Sequence, residues 1–276
     1  MVKVTRLIER IFGMNEKVLS LNDLTMSYSG KTVLNGINLD VYRGQIIGYI
    51  GPNGAGKSTT LKIILGLIEG YGGTVEILGK NIASNNDSYK QKIGYVPENA
   101  EIYDTLTAAE YLTFIGELYG LERQKAEDKA LRLLQQFDME EVFHARISSF
   151  SKGMRQKVLI ISSLLHNPDI IFLDEPLSGL DANSVMVIKD MLEDLANQGK
   201  TIFYSSHIMD VVEKISNRIV LLVNGKIAAD GSFDELKAQS HEGSLEGIFN
   251  QLTGFDVHKV TAENIVSIVT EDGPHE

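Results

Sequence analysis

A chain of 276 residues with 43% hydrophobic side chains is long enough for one large domain, or a domain with a subdomain, and is not disordered. The absence of cysteine excludes disulfides, thiolate metal sites and cysteine nucleophiles, and leaves magnesium held by oxygen as the metal that fits. A formal charge of −11 argues against a broad nucleic-acid footprint, so protein partners are expected and nucleic acid is not. No stretch reaches the roughly 18 uninterrupted apolar residues of a membrane span, and MVKVTRLIERIFG lacks the apolar run and cleavage site of a signal peptide; a cytoplasmic chain is expected.

Residues 1–13 place Val4, Leu7, Ile8, Ile11 and Phe12 on one helical face, with Lys3, Arg6 and Arg10 largely elsewhere, before Gly13 ends the pattern. This predicts an amphipathic N-terminal extension over residues 1–17, for which packing on protein is favoured over lying on an anionic membrane. VLSLNDLTMSY and KTVLNGINLDVY then read as strands of antiparallel character, leading into the buried run QIIGYI, Gln45 to Ile50.

The stretch GPNGAGKST, Gly51 to Thr59, follows that strand and precedes TTLKIILGL, whose apolar spacing is helical. Gly51, Gly54 and Gly56 let the backbone curl with its amides inward, and the following helix offers unpaired N–H groups and a positive dipole end. Pro52, Asn53, Ala55 and Thr59 complete a loop shaped for a nucleoside triphosphate. Lys57 would reach the β and γ phosphates, and the Ser58 hydroxyl would ligate Mg²⁺. A glycine-rich surface turn is the ordinary alternative, and the strand and helix on either side are what set it aside.

GGTVEILGK and KIGYVPE resume the strand pattern. Thr107 with Glu110 forms a capping-box signature ahead of AAEYLTFIGELYG and the charged RQKAEDKALRLLQQF, which predicts a helical block to about Leu165. PDIIFLDEP and TIFYSSH are buried strands separated by a helix from about Asn183 to Ala196, so strand and helix alternate as in a parallel sheet. RIVLLVNGKIAADG predicts a hairpin closed by Asn224 and Gly225, and Ser232 with Glu235 a second capping box. The last twenty or so residues carry little signal.

In DIIFLDE two acids follow four apolar residues, which puts them at the carboxyl end of a buried parallel strand, where open α/β sheets bind ligands. Asp174 would hold Mg²⁺ through water, and Glu175 would accept a proton from a water attacking the γ phosphate. Alone, such a pair reads better as a helix cap; beside a phosphate loop the catalytic reading is stronger.

With these motifs in this order, residues 18–236 resemble the ATP-binding subunit of an ABC transporter. The resemblance implies an α/β fold, a P-loop NTPase of ABC ATPase type: a parallel core sheet, an antiparallel β subdomain and a helical signature subdomain at about residues 99–165, with a C-terminal extension over 237–276. FSKGMRQ resembles the family signature, departing at Phe150, Lys152 and Met154 while keeping Ser151 and Gly153. In the family this serine and the amides after it bind the γ phosphate held by a second subunit, so the active sites form only between two ATPase subunits, identical or different. SGLD, Ser178 to Asp181, resembles the loop that crosses that interface. His207 resembles the switch histidine that contacts the γ phosphate, and Tyr28 the aromatic residue that stacks on adenine.

VPEN places Glu98 where the family usually has glutamine, a residue that contacts Mg²⁺ and the attacking water; a carboxylate keeps the acceptor role and loses the amide donor. Glu98 and the stretches IMDVVEKISNRIVLLVNGKIAADGSFDELK and SLEGIFNQLTG are similar to bacterial exporters whose ATPase and membrane subunits are separate chains. The resemblance therefore implies an ATPase that dimerises around two Mg·ATP and drives a separate integral membrane permease, held through it on the inner face of the cell membrane. A soluble ABC ATPase acting on nucleic acid or ribosomes is the alternative. Such proteins usually have two tandem halves or a long coiled coil before the signature, and this chain has one half with a short helical insert.

Overall fold

The computed structural model describes residues 16–84, 87–98, 102–206, 208–240, 242–254 and 258–270. The amphipathic segment predicted at residues 1–13 lies outside them, as does His207.

Two sheets form the frame. A four-stranded antiparallel sheet has the order β2-β1-β4-β5, from β1 (Lys17–Tyr28), β2 (Lys31–Tyr42), β4 (Gly72–Ile77) and β5 (Lys80–Asn81). A six-stranded sheet has the order β10-β9-β3-β8-β7-β6, from β3 (Ile46–Ile50), β6 (Ile93–Val96), β7 (Ile170–Asp174), β8 (Thr201–Ser205), β9 (Arg218–Val223) and β10 (Lys226–Gly231). Its strands pair in parallel except β10, which returns antiparallel on β9.

Side chains of successive strand residues point to opposite faces, and here each face meets its own core. From β3, Ile46 and Ile50 enter one core while Ile47 and Tyr49 enter the other; β7 divides Ile171 and Leu173 from Ile170 and Phe172 in the same way. The second core lies between the two sheets and takes in Leu61, Ile63 and Ile64 of α1 (Lys57–Ile64). The first is covered by α2 (Ala108–Leu118), α3 (Arg123–Gln135), α4 (Lys152–Leu164), α5 (Ala182–Asn197), α6 (Met209–Ile215), α7 (Phe233–Gln239) and α8 (Leu245–Thr253). This is why the central strands read as near-continuous apolar runs and those of the smaller sheet do not.

Both predicted capping boxes are formed: Glu110 N–H donates to Thr107 Oγ1 at 3.1 Å and Thr107 N–H to Glu110 Oε2 at 2.8 Å, and Ser232 and Glu235 repeat the exchange at α7. Asn224 at φ 49° and Gly225 at φ 73° make the primed turn expected between β9 and β10. The helical block expected to run to Leu165 is interrupted. After α3 the chain passes through short 3₁₀ turns at Glu140–Val142 and Ile147–Ser149 before α4 begins. Met139, Phe143, Ile147 and Phe150 are buried at a spacing that one helical face would also give, but Phe137 lies off that face and Asp138 turns the chain at φ 55°, which stops the helix. The near-featureless C-terminus contains α9 (His258–Thr270), which exposes Ile265, Val266, Ile268 and Val269. Among the described residues no helix is long and apolar enough to cross a membrane.

Candidate nucleotide-binding site

All five residues of β3 are buried, so the chain leaving it at Gly51 emerges at the carboxyl edge of the parallel sheet. A Cβ on Gly51 would sit 2.3 Å from the Leu222 carbonyl oxygen of β9, and one on Gly56 would sit 2.5 Å from Leu34 Cδ2 of β2. Gly56 also has φ 108°, so glycine is required there twice over, by space and by backbone. The loop is supported from behind by the primed turn, since Gly225 N–H donates to Ala55 O at 3.1 Å and Asn35 N–H to Gly225 O at 2.8 Å. The sequence marks Asn224 and Gly225 as a turn but gives no sign that they brace the loop.

Lys57 opens α1 and folds its ammonium back over the loop, donating to the carbonyls of Gly51 at 2.5 Å and Pro52 at 3.2 Å. Burial pulls this lysine below its ordinary pKa, while the negative charges of Asp174, Glu175 and Glu98 pull it up. The ammonium therefore sits within the field of all three carboxylates while its hydrogen bonds go to the loop carbonyls. Asn53, Gly54 and Ser58 are exposed and Thr59 half-buried, while Thr60 is buried and ties the helix down through Oγ1 to Gly56 O at 3.0 Å and through the Tyr49 hydroxyl at 3.2 Å.

Asp174 ends β7 in register with Ser205 of β8, and Ser205 Oγ donates to Asp174 Oδ1. Glu175 follows in the left-handed region at φ 48°, which turns it away from the strand direction; its N–H donates to Ser205 O at 3.0 Å and its Oε2 accepts from Ser206 Oγ at 3.0 Å. The two acids are thus held by two consecutive serines of the neighbouring strand end. Neither serine was a candidate from sequence, because a hydroxyl pair at a strand end becomes meaningful only when the register places it opposite the acids. Glu98 lies just beyond β6, exposed, and with Asp174 it raises the pKa of Tyr95, which is pushed up chiefly by burial.

Ser151 is the N-cap of α4, accepting from Met154 N–H at 3.2 Å. The first turn of α4 meets the loop Ser178–Asp181 of the same chain: Lys152 Nζ donates to Ser178 Oγ at 2.8 Å, and a Cβ on Gly153 would approach Gly179 O to 2.6 Å. Asp181 caps α5, accepting from Ser184 N–H at 2.9 Å and pairing with Lys157 at 3.5 Å, and the Ser184 hydroxyl and amide hold its carboxyl down at about 2. Gly153→Ala would force two backbones apart, and overpacking of this kind typically costs about 1–3 kcal/mol. Its denaturant midpoint should fall accordingly; an unchanged midpoint would show that the two segments separate freely.

Tyr28 ends β1, 43% exposed and paired with Lys31 at the start of β2, the strand whose Val33 and Leu34 press on Gly56 and Gly225. His207 falls between the described Ser206 and Ile208. The exposed Ser58 hydroxyl at the helix start and the carboxylates whose charge acts on Lys57 are hard oxygen ligands of the kind that fit Mg²⁺; among the described residues no three His, Cys, Asp or Glu side chains form a metal cluster by themselves.

A family model described as ABC transporter matches residues 34–178, just over half of the chain. An uncharacterized ABC transporter ATP-binding protein of Synechocystis is 37% identical over 249 residues, which span 89% of this chain and 66% of that protein. The linearmycin resistance ATP-binding protein LnrL of Bacillus subtilis is 36% identical over 219 residues, 79% of this chain and 70% of its own. A solved structure of the ATP-binding subunit of an ABC transporter is 33% identical and superposes with a TM-score of 0.80, covering 85% of this chain and 99% of that one. The Gly51–Thr59 loop, the acid pair and the fold that joins them agree with these likenesses: the chain belongs to the ABC transporter family, as one of its ATP-binding subunits.

Proposed function

We propose that this chain binds Mg·ATP on the Gly51–Thr59 loop and hydrolyses it at sites shared between two ATPase subunits, so driving a separate membrane permease. The observation that carries the reading is that the Gly51–Thr59 loop and the Asp174–Glu175 pair both leave the carboxyl edge of the parallel sheet, with the charges of Asp174, Glu175 and Glu98 acting on Lys57. Triphosphate oxygens would take the Lys57 ammonium from the carbonyls of Gly51 and Pro52, and the first amides of α1 would complete the cradle. Ser58, Asp174 and Glu98 would hold Mg²⁺, which when bound supplies positive charge to the phosphate oxygens. Glu175 accepts the proton of the attacking water, His207 contacts the γ phosphate and Tyr28 stacks on adenine. Ser151 and Gly153 of a second copy, or of a related ATPase subunit, close on the γ phosphate from the other side.

Export is the direction we favour. It is supported by the resemblance of Glu98 and the segments after His207 to exporters with separate permeases, and by a relative that carries resistance to linearmycin in its name. The permease would dock on the helical block: Leu106, Glu110, Thr113, Phe114, Glu117 and Arg123 line a groove of about 270 Å³ on α2, with Phe114 exposed in it. Photocrosslinkers placed at Phe114 and Glu117 in native membranes should capture an integral membrane chain. Capture only from positions on the β9–β10 turn, around Asn224, would refute this docking face.

A further inference from the structure

Ser206 stands directly after β8 and is 5% exposed. Its hydroxyl accepts the Ile208 N–H at 3.2 Å and donates to Glu175 Oε2 at 3.0 Å. A serine hydroxyl has one proton, and here Glu175 takes it. The backbone of Glu175 is fixed from the same strand end: its N–H donates to Ser205 O at 3.0 Å and its φ is 48°, a conformation that non-glycine residues keep only where the surroundings over-determine it. Fixing the backbone does not fix the carboxylate, because the last torsion of a glutamate is broad.

We propose that Ser206 is a positioning residue for ATP hydrolysis: its hydroxyl sets the orientation of the Glu175 carboxylate and ties it to the backbone that follows β8. The proposal rests on Glu175 being the proton acceptor and extends that reading to the group that aims it. Ser206 touches neither phosphate nor water in this role. It selects one rotation of the carboxylate that follows the neighbouring strand. The Ile208 N–H gives the hydroxyl its own anchor, so the serine does not swing with the glutamate. A misplacement of about 1 Å in a reacting group costs about 10²-fold in rate, so loss of the hydroxyl should lower turnover by about ten- to a hundredfold.

Ser206→Ala, Ser206→Thr, Glu175→Gln and the double variant Ser206→Ala with Glu175→Gln distinguish this from a packing role. Steady-state and single-turnover hydrolysis of Mg·ATP, equilibrium ATP binding and melting temperature are measured for each. Ser206→Ala should lower kcat with ATP affinity and melting temperature near those of wild type, and Ser206→Thr, which keeps the hydroxyl, should restore most of the rate. In the Glu175→Gln background, removing the Ser206 hydroxyl should cost little more, since groups acting through one another are not additive. Full turnover by Ser206→Ala, a parallel loss of ATP affinity or folding, no recovery with threonine, or an equal further loss in the Glu175→Gln background would each overturn the proposal. Wild-type turnover by Glu175→Gln alone would overturn the reading of Glu175 itself, and with it the role of Ser206.

Discussion

Glu175→Gln is expected to lower ATP turnover by about 10²- to 10⁴-fold, the usual worth of general-base assistance, while leaving ATP binding in place. Glutamine matches glutamate in shape and still accepts the Ser206 hydroxyl, so the strand end and the left-handed turn at residue 175 survive the change. It cannot take a proton from water. The proposed nucleotide cradle is built from other parts, Lys57 and the amides that follow Gly56, and the substitution leaves these untouched. Single-turnover hydrolysis set beside equilibrium binding separates the two effects, and a variant that turns over at the wild-type rate would remove Glu175 from the reaction.

Lys57→Ala should act on the other half of the process. A charge-assisted hydrogen bond is worth about 1.5–3 kcal/mol, so ATP affinity should fall by about ten- to a hundredfold, and hydrolysis with it. Stability should change little. The ammonium is partly buried with its ordinary pKa pulled down, which means that the fold gains little from holding the charge there, and its hydrogen bonds go only to loop carbonyls. Titration with ATP and a melting curve decide this; unchanged affinity in a folded variant would take Lys57 out of the site, and a collapsed melting temperature would make its role structural.

The placement of the Gly51–Thr59 loop and of the acid pair after buried strands was legible in the sequence because each sits in one continuous segment. The capping boxes at Thr107 and Ser232 and the turn at Asn224 were legible for the same reason: local chemistry specifies them. What joins distant segments was not. Ser205 and Ser206 lie thirty-one residues from the acids they hold, and only the parallel register of β7 on β8 brings them together. The brace of Gly225 behind Ala55 and the contact of Gly153 with Gly179 are tertiary in the same sense. The interruption between α3 and α4 was missed because its buried aromatics look like helix-core residues when read along the chain, and point to a loop only once the core they enter is known.

The mass of the Glu175→Gln protein in solution tests the proposed shared active site most directly. With Mg·ATP bound and not hydrolysed, the γ phosphate on one copy should meet Ser151 and Gly153 of the other, and the protein should run as a dimer. With Mg·ADP, which lacks that phosphate, it should run as a monomer, and Ser151→Arg, which puts bulk and charge at the contact, should be monomeric with either nucleotide. A Glu175→Gln protein that binds Mg·ATP yet stays monomeric at high concentration, while the wild type hydrolyses ATP normally, would contradict the shared site.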